Sequence, residues 1–70
     1  MTGMLRITVN GEERLVPAGT SVADVVSAVV ADVRGLAVAV DRDVVPRARW
    51  AETTLEVGAS VEIVTAVAGG

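Results

Sequence analysis

The sequence predicts an α+β domain in which one helix packs against one sheet. Several short segments alternate apolar and polar residues with the period of a β-strand, and a single segment repeats valine with the period of a helix. The strands and the helix are segregated along the chain rather than arranged as repeating strand–helix units. With one helix available, the apolar faces of all strands must turn toward it, which leaves the other side of the helix in solvent.

A β-hairpin is predicted at the start of the chain. Residues 4–9 alternate apolar and polar side chains, as in a half-buried strand. Asn10-Gly11 follows, and this pair supplies the two positive φ angles of a tight hairpin turn. We therefore expect residues 12–16 to return antiparallel, with Leu15 on the core side and Pro17 ending the strand.

The helix is predicted between Ser21 and Val33. Valine's stiff side chain favours strands, but a valine spacing of i, i+3, i+4, i+7, i+8 and i+11 forms one apolar stripe only on a helix. Ser21 with Asp24 resembles a capping box, while Arg34 and Gly35 suit the last turn and the C-terminal cap. The stripe consists of Val22, Val25, Val26, Val29, Val30 and Val33.

Three further strands complete the sheet. Residues 36–40 alternate, a polar turn leads to a short strand at 44–45, and residues 61–66 form the last strand. Residues 47–55 have no clean period, and we expect them to form turns that tuck Trp50, the only aromatic residue, under a lid. This order, about four to five strands in a mixed sheet on one helix, predicts the β-grasp, or ubiquitin-like, fold.

Composition excludes several kinds of chemistry. The 70 residues, 51% of them hydrophobic, make one domain, and they include no cysteine and no histidine. The chain therefore has no disulfide, no thiolate or imidazole metal ligand, and none of the usual nucleophiles or general bases. We expect no catalytic residue, no metal site and no bound cofactor.

Charge and hydropathy limit the partners. Six basic residues, all arginine, stand against nine acidic residues, for a net charge of -3, so a nucleic-acid partner is not expected. The chain also has no lysine on which a copy of itself could be conjugated. Without a signal-peptide pattern or an apolar run of ~18 residues, we expect a cytoplasmic protein with no membrane partner.

The segment V-T-A-V-A-G-G at the end of the sequence is the candidate functional motif. Two glycines contribute no side chain to a core and make the backbone thin and loose. A frayed terminus is the plain alternative. We divide the chain into a domain of residues 1–67 and a flexible tail of residues 68–70.

Three blocks resemble the thiamine-biosynthesis sulfur carriers of the ThiS family across essentially the whole chain. They are N-G-E near the start, G-L-A-V-A-V-D-R-D-V-V-P-R-A-R-W in the middle and V-E-I-V-T-A-V-A-G-G at the end. V-V-P-R followed by Trp50 is the most specific part. Two positions depart from the family pattern: Asp41-Arg42-Asp43 replaces an Asn-containing turn, and Ala59 replaces an aspartate after Gly58.

The resemblance implies chemistry at Gly70. An E1-like adenylating enzyme of the ThiF type would join its carboxylate to AMP, using ATP and Mg, because a carboxylate is a poor acyl donor until it has a good leaving group. A persulfide enzyme would then supply sulfur to give a terminal thiocarboxylate, a 1-thioglycine. A thiazole synthase of the ThiG type would receive that sulfur. The chain would be a protein cosubstrate, monomeric when free, and Ala68 and Gly69 would form its thin tether.

An outward sheet face next to the tail is the candidate partner surface. Thr8, Ala37, Ala39, Val64, Ala66 and Val67 would form it, and exposed apolar patches often mark interaction sites. Trp50 is interpreted as a lid over the core edge, with a partner hot spot as the alternative. Arg47 and Arg49 are interpreted as solvated loop residues, with a docking patch as the alternative.

Other functions remain open on the sequence alone. A Gly-Gly end also suits a ubiquitin-like modifier that forms isopeptide bonds with lysines of other proteins. It equally suits a sulfur carrier of molybdopterin or cysteine synthesis. The V-V-P-R-A-R-W block and the small size favour the thiamine carrier.

Overall fold

A computed structural model describes residues 3–32 and 34–65. Within these residues the strands form one five-stranded sheet in the order β2-β1-β5-β3-β4, with β5 parallel to β1 and antiparallel to β3. This mixed sheet with one α-helix confirms the predicted α+β class. The elements are β1 (Met4–Val9), β2 (Glu12–Pro17), α1 (Val22–Val29), β3 (Leu36–Val40), β4 (Asp43–Val45), a 3₁₀ helix (Arg47–Glu52) and β5 (Ser60–Thr65).

The first hairpin has the predicted turn but the opposite side chain in the core. Asn10-Gly11 adopts positive φ angles of 52° and 86°, and β2 pairs antiparallel with β1. The register sets Leu15 opposite Arg6 and Val16 opposite Leu5. Because directly opposite residues share a face, Leu15 lies on the outer face, 61% exposed. The expectation that Leu15 faces the core is therefore wrong, and Val16 packs against the core instead.

The start of α1 is fixed by a capping box, as predicted. The backbone N–H of Asp24 donates to Ser21 Oγ at 3.1 Å, and the Ser21 N–H donates to Asp24 Oδ2 at 3.1 Å. These two bonds satisfy N–H groups that have no partner within the helix. The apolar stripe then faces the sheet, with Val22, Val25 and Val26 buried and Val29 and Val30 half-buried.

The helix ends at Val29 rather than at Val33. Val30 donates its N–H to the carbonyl oxygen of Val26 at 2.9 Å, but its own backbone is extended, with φ -131° and ψ 130°. Valine loses side-chain freedom in a helix, so this valine-rich segment gains little by adding a further turn. The predicted last residue of the stripe, Val33, lies outside the described residues.

The two predicted C-terminal capping residues act elsewhere. Arg34 donates from its backbone N–H, Nε and Nη2 to the carboxylate of Asp32 at 3.0–3.1 Å, so its charge is paired locally. Gly35 has the left-handed φ of 69° expected for a cap, but it lies in the turn that enters β3. The expected C-cap of α1 is therefore wrong in position.

The core lies between α1 and the inner face of the sheet. Every buried residue in the described part of the chain is apolar. Burial of apolar surface is therefore the main stabilising contribution. The buried residues are Ile7, Val9, Val22, Val25, Val26, Val38, Trp50, Leu55, Ala59, Val61 and Ile63.

Trp50 closes one edge of this core, as predicted. It is 5% exposed, and its Nε1–H donates to the carbonyl oxygen of Val45 at 2.9 Å. The Arg47 guanidinium lies 5.8 Å from the centre of the indole ring, within the range of a cation–π contact. Arg49 is exposed and lies 3.5 Å from the Glu52 carboxylate. The indole therefore belongs to the core, and both arginines have partners within their own loop.

Candidate functional site: strand β5 and the segment it leads into

Strand β5 leads directly into the predicted functional tail. It is the central strand of the sheet, between β1 and β3. Val61 and Ile63 are buried, whereas Val64 and Thr65 are exposed. Val64 is on the outer face of the sheet, and the exposure of Thr65 shows that the core does not extend to the last described position. Five predicted site residues lie outside the described ranges, namely Ala66, Val67, Ala68, Gly69 and Gly70.

On one side, β5 is held by a short parallel ladder with β1. The Thr8 N–H donates to the Ala59 carbonyl oxygen at 3.0 Å, and the Asn10 N–H donates to the Val61 carbonyl oxygen at 2.9 Å. At Asn10 the chain turns away into β2. The main chain of β1 therefore cannot pair with the last residues of β5.

The side chain of Asn10 continues the ladder where the main chain stops. Its Oδ1 accepts the Ile63 N–H at 2.8 Å, and its Nδ2 donates to the Ile63 carbonyl oxygen at 3.2 Å. A carboxamide carries the same donor and acceptor as a peptide group. Asn10 therefore acts as one additional strand residue beside Ile63, and we call this pair of bonds the Asn10 clamp.

A second turn holds the other end of β5. Asp41 and Arg42, with φ angles of 52° and 76°, form the two-residue turn between β3 and β4. Asp41 Oδ1 accepts the Ser60 N–H at 2.9 Å, and the Asp41 N–H donates to the Ser60 carbonyl oxygen at 2.8 Å. We call this pair the Asp41 clamp. Each end of β5 is thus bonded to the first residue of a left-handed turn.

The sequence patterns did not reveal either clamp. The first turn was predicted from the backbone preference of Asn-Gly and the second from its polar residues, and neither side chain was expected to reach β5. A signal for them does exist, since Asn and Asp at tight turns commonly bond nearby backbone groups. What a local pattern cannot supply is the identity of the bonded strand, because the Asn10 clamp joins residues 53 positions apart.

The predicted outward face is present on β3 and β5. Ala37 pairs directly with Val64, which is 57% exposed, and Ala39 is half-buried. Val44 also belongs to this face, although it was not predicted from the sequence: it lies opposite Ala39 on β4 and is 74% exposed. Glu62 also lies opposite Ala39, so the face carries one carboxylate and is not wholly apolar. Thr8 is half-buried on β1.

The early end of α1 leaves an open groove over the inner face of the sheet. Val29 and Val30 form its helix side, and Ile63 and Thr65 bring β5 to it. Glu12 and Arg14 of β2 also line it, because they lie opposite the core-facing residues of β1 beyond the reach of the helix. The groove therefore combines apolar walls with one charge of each sign next to the last described residue.

The described residues offer no buried group for acid–base or metal chemistry. Their buried set contains no polar or charged residue, and they contain no group of three or more acidic residues able to hold a metal ion. Arg34 lowers the pKa of Asp32 through its side-chain and backbone hydrogen bonds, and the same contact raises the pKa of Arg34, but both groups are exposed. Among the described helices, none has the length and apolar character needed to cross a bilayer.

A central strand leading to a Gly-Gly segment, on a one-helix sheet, defines a small ubiquitin-like protein of the β-grasp class. The ThiS family model matches residues 3–70, and the chain belongs to that family. A structural comparison agrees. The crystal structure of a thiamine biosynthesis protein (ThiS) from Geobacter metallireducens is similar with a TM-score of 0.82 and 29% identity, covering 94% of this chain and 100% of that one. No curated protein matches the sequence.

Proposed function

We propose that this protein is a sulfur carrier for thiazole formation in thiamine biosynthesis, with Gly70 as the residue that carries the sulfur. The observation that supports the proposal is the match to the ThiS family, which extends through Ala68, Gly69 and Gly70. The fold is consistent with it, because Thr65 at the end of β5 is exposed and the strand leads toward these residues. The chain then acts as a cosubstrate, and its partners supply the catalysis.

The proposed chemistry begins with activation of the Gly70 carboxylate. A carboxylate oxygen attacks the α-phosphorus of ATP on an adenylating partner, and pyrophosphate leaves, which gives an acyl adenylate. The terminal sulfur of a persulfide then attacks the acyl carbon and AMP leaves. A thiol takes the remaining donor sulfur as a disulfide, and the thiocarboxylate is released. Activation is required because AMP is a far better leaving group than an oxide ion.

The shape of the tail suits this role. A carboxylate that must enter another enzyme's nucleotide site needs a narrow tether, and glycine has the smallest cross-section of any residue. The thiocarboxylate then serves as sulfur donor to a thiazole synthase. We place the protein in the cytoplasm, where ATP is available for the activation step.

We assign docking of the adenylating partner to the outward face formed by Ala37, Ala39, Val44 and Val64. Small side chains on β3 allow close approach, and the face lies beside the strand that leads to the tail. Val64→Arg should weaken activation, because it places a charge in an interface that excludes water. Val57→Arg is the control, since Val57 is 72% exposed in the loop before β5. Equal activation of both variants contradicts this docking face.

Three tail variants test the proposed function. One residue added after Gly70, deletion of Gly70, and Gly69→Val should each abolish or strongly impair sulfur loading and leave stability unchanged. Gly3→Val is the matched control, because a Cβ at Gly3 meets nothing within 4 Å. Loading is measured with the cognate adenylating enzyme, ATP and a persulfide donor. A one-residue extension that still supports sulfur transfer contradicts the proposal, and isopeptide conjugates of the native chain would indicate a protein modifier.

A further inference from the structure

The Asn10 clamp stands out because it bonds the last buried residue of β5. Asn10 lies at the far end of the chain from the tail, yet both polar atoms of its side chain contact Ile63. On its other side β5 pairs with β3 through Leu36 opposite Thr65. The end of β5 is therefore held on both edges, on one of them by a single carboxamide.

The chemistry of the site requires asparagine. The backbone at position 10 has a φ of 52°, a left-handed conformation that asparagine tolerates better than most residues. The backbone N–H of Asn10 is already bonded to Val61, so the side chain must supply both the donor and the acceptor for Ile63. The aspartate side chain offers only acceptors, and glycine has no side chain to offer a donor or an acceptor.

We infer that Asn10 is a positioning residue for the sulfur-transfer reaction: its clamp fixes the direction in which β5 delivers the tail to the activating partner. This inference rests on the proposed function. Without the clamp, the end of β5 is bonded only to β3, so it samples a wider range of directions. A partner that binds one direction then binds a smaller fraction of the molecules, and the apparent affinity falls by that fraction.

The structure provides a matched pair of variants, Asn10→Gly and Asp41→Gly. Both residues have a φ of 52°, which glycine adopts freely. Each variant thus keeps its turn and loses only its side-chain bonds to β5. Asn10→Gly removes both bonds to Ile63 next to the tail, whereas Asp41→Gly removes only the bond from the Ser60 N–H at the distant end of the strand and keeps the main-chain bond to the Ser60 carbonyl oxygen.

Steady-state activation separates positioning from general stability. For Asn10→Gly we expect the KM for the carrier protein to rise by roughly three- to tenfold, which corresponds to the loss of one or two hydrogen bonds. We expect kcat to stay unchanged. Asp41→Gly should keep both constants at the native values. An equal rise in KM for the two variants, or no rise for Asn10→Gly, overturns the inference.

Amide hydrogen exchange tests the clamp without any partner. In Asn10→Gly the Ile63 and Val64 amides should exchange faster relative to Val38, and in Asp41→Gly they should not. Unchanged exchange in Asn10→Gly overturns the positioning role even if KM changes. If the native chain acquires no thiocarboxylate, the proposed function fails, and the exchange rates still decide whether Asn10 holds the strand end.

Discussion

The two ends of β5 are held by the same kind of turn with different side chains. Asp41 donates its main-chain N–H to Ser60 and needs its side chain only as an acceptor, so a carboxylate suffices. Asn10 has its main-chain N–H bonded to Val61, so its side chain must donate and accept. Aspartate therefore cannot replace asparagine at a turn whose main-chain N–H is already bonded elsewhere, because the side chain must then supply the donor.

The largest effect should come from disrupting the packing of α1 on the sheet that contains β5. Val26 is 1% exposed on the face of α1 that packs on the sheet. Val26→Asp buries an unpaired carboxylate, at a cost of about 4 kcal/mol or more, comparable to the whole stability of a small domain. Trp50 emission and far-UV circular dichroism should show a largely unfolded chain.

The control for this variant is Ser27→Asp on the exposed face of the same helix. It should unfold cooperatively with nearly native stability. A Val26→Asp protein that keeps a cooperative transition would mean that the orientation of α1 is wrong.

Exchanging the two clamp residues tests whether Asn10 must supply a side-chain donor whereas Asp41 needs only an acceptor. Asn10→Asp removes the donor to the Ile63 carbonyl oxygen and places a carboxylate beside it, which should lower the free energy of unfolding by about 1–3 kcal/mol. Asp41→Asn keeps the acceptor for Ser60 and should change the free energy of unfolding by less than about 0.5 kcal/mol. Urea unfolding followed by Trp50 fluorescence measures both. Equal losses would refute the asymmetry between the turns.

The register set by the Asn10-Gly11 turn predicts a smaller difference. Val16 packs against the core, whereas Leu15 is 61% exposed. Val16→Thr should cost about 1 kcal/mol because it brings a hydroxyl against apolar neighbours. Leu15→Thr should stay within about 0.5 kcal/mol of the native value. Urea unfolding measures both losses. A larger loss of stability in Leu15→Thr than in Val16→Thr would mean that Leu15 faces the core, as expected from the sequence.

The smallest effect concerns the exposed pair of Asp32 and Arg34. Arg34 holds the pKa of Asp32 below its ordinary value of 3.8. The stability from this contact is present above the unfolded-state pKa and is lost as the pH falls through the lower, folded-state pKa. In Arg34→Ala, NMR titration should show the Asp32 pKa rising toward its ordinary value, while the backbone N–H at position 34 still lowers it. An Asp32 pKa equal to that of the native chain would exclude the Arg34 guanidinium as the main cause.

Periodicity predicted the elements of the fold because each pattern has a local cause. The valine stripe placed α1 correctly against the sheet, and the Ser21–Asp24 capping box fixed its first turn. The end of the helix was wrong because Gly35 has the right conformation in a different turn. Leu15 was also placed on the wrong face, although counting outward across a two-residue turn pairs Leu5 with Val16.

The candidate site was less predictable. Ala37, Ala39 and Val64 were found because strand alternation reveals a face. Val44 was missed because a strand of three residues has too little alternation to assign one. The clamps were missed because the partner of a polar side chain depends on strand order, and β5 next to β1 is a nonlocal feature of the sheet.

Intact-mass measurement of the native chain is the most direct test of sulfur loading at Gly70. The protein is incubated with the cognate adenylating enzyme, ATP, a persulfide donor and a thiol, and fragmentation locates any change in mass. If Gly70 carries the sulfur, one oxygen is exchanged for one sulfur at Gly70, and the exchange requires ATP. An unchanged mass with a competent enzyme, or a modification on any other residue, would contradict it.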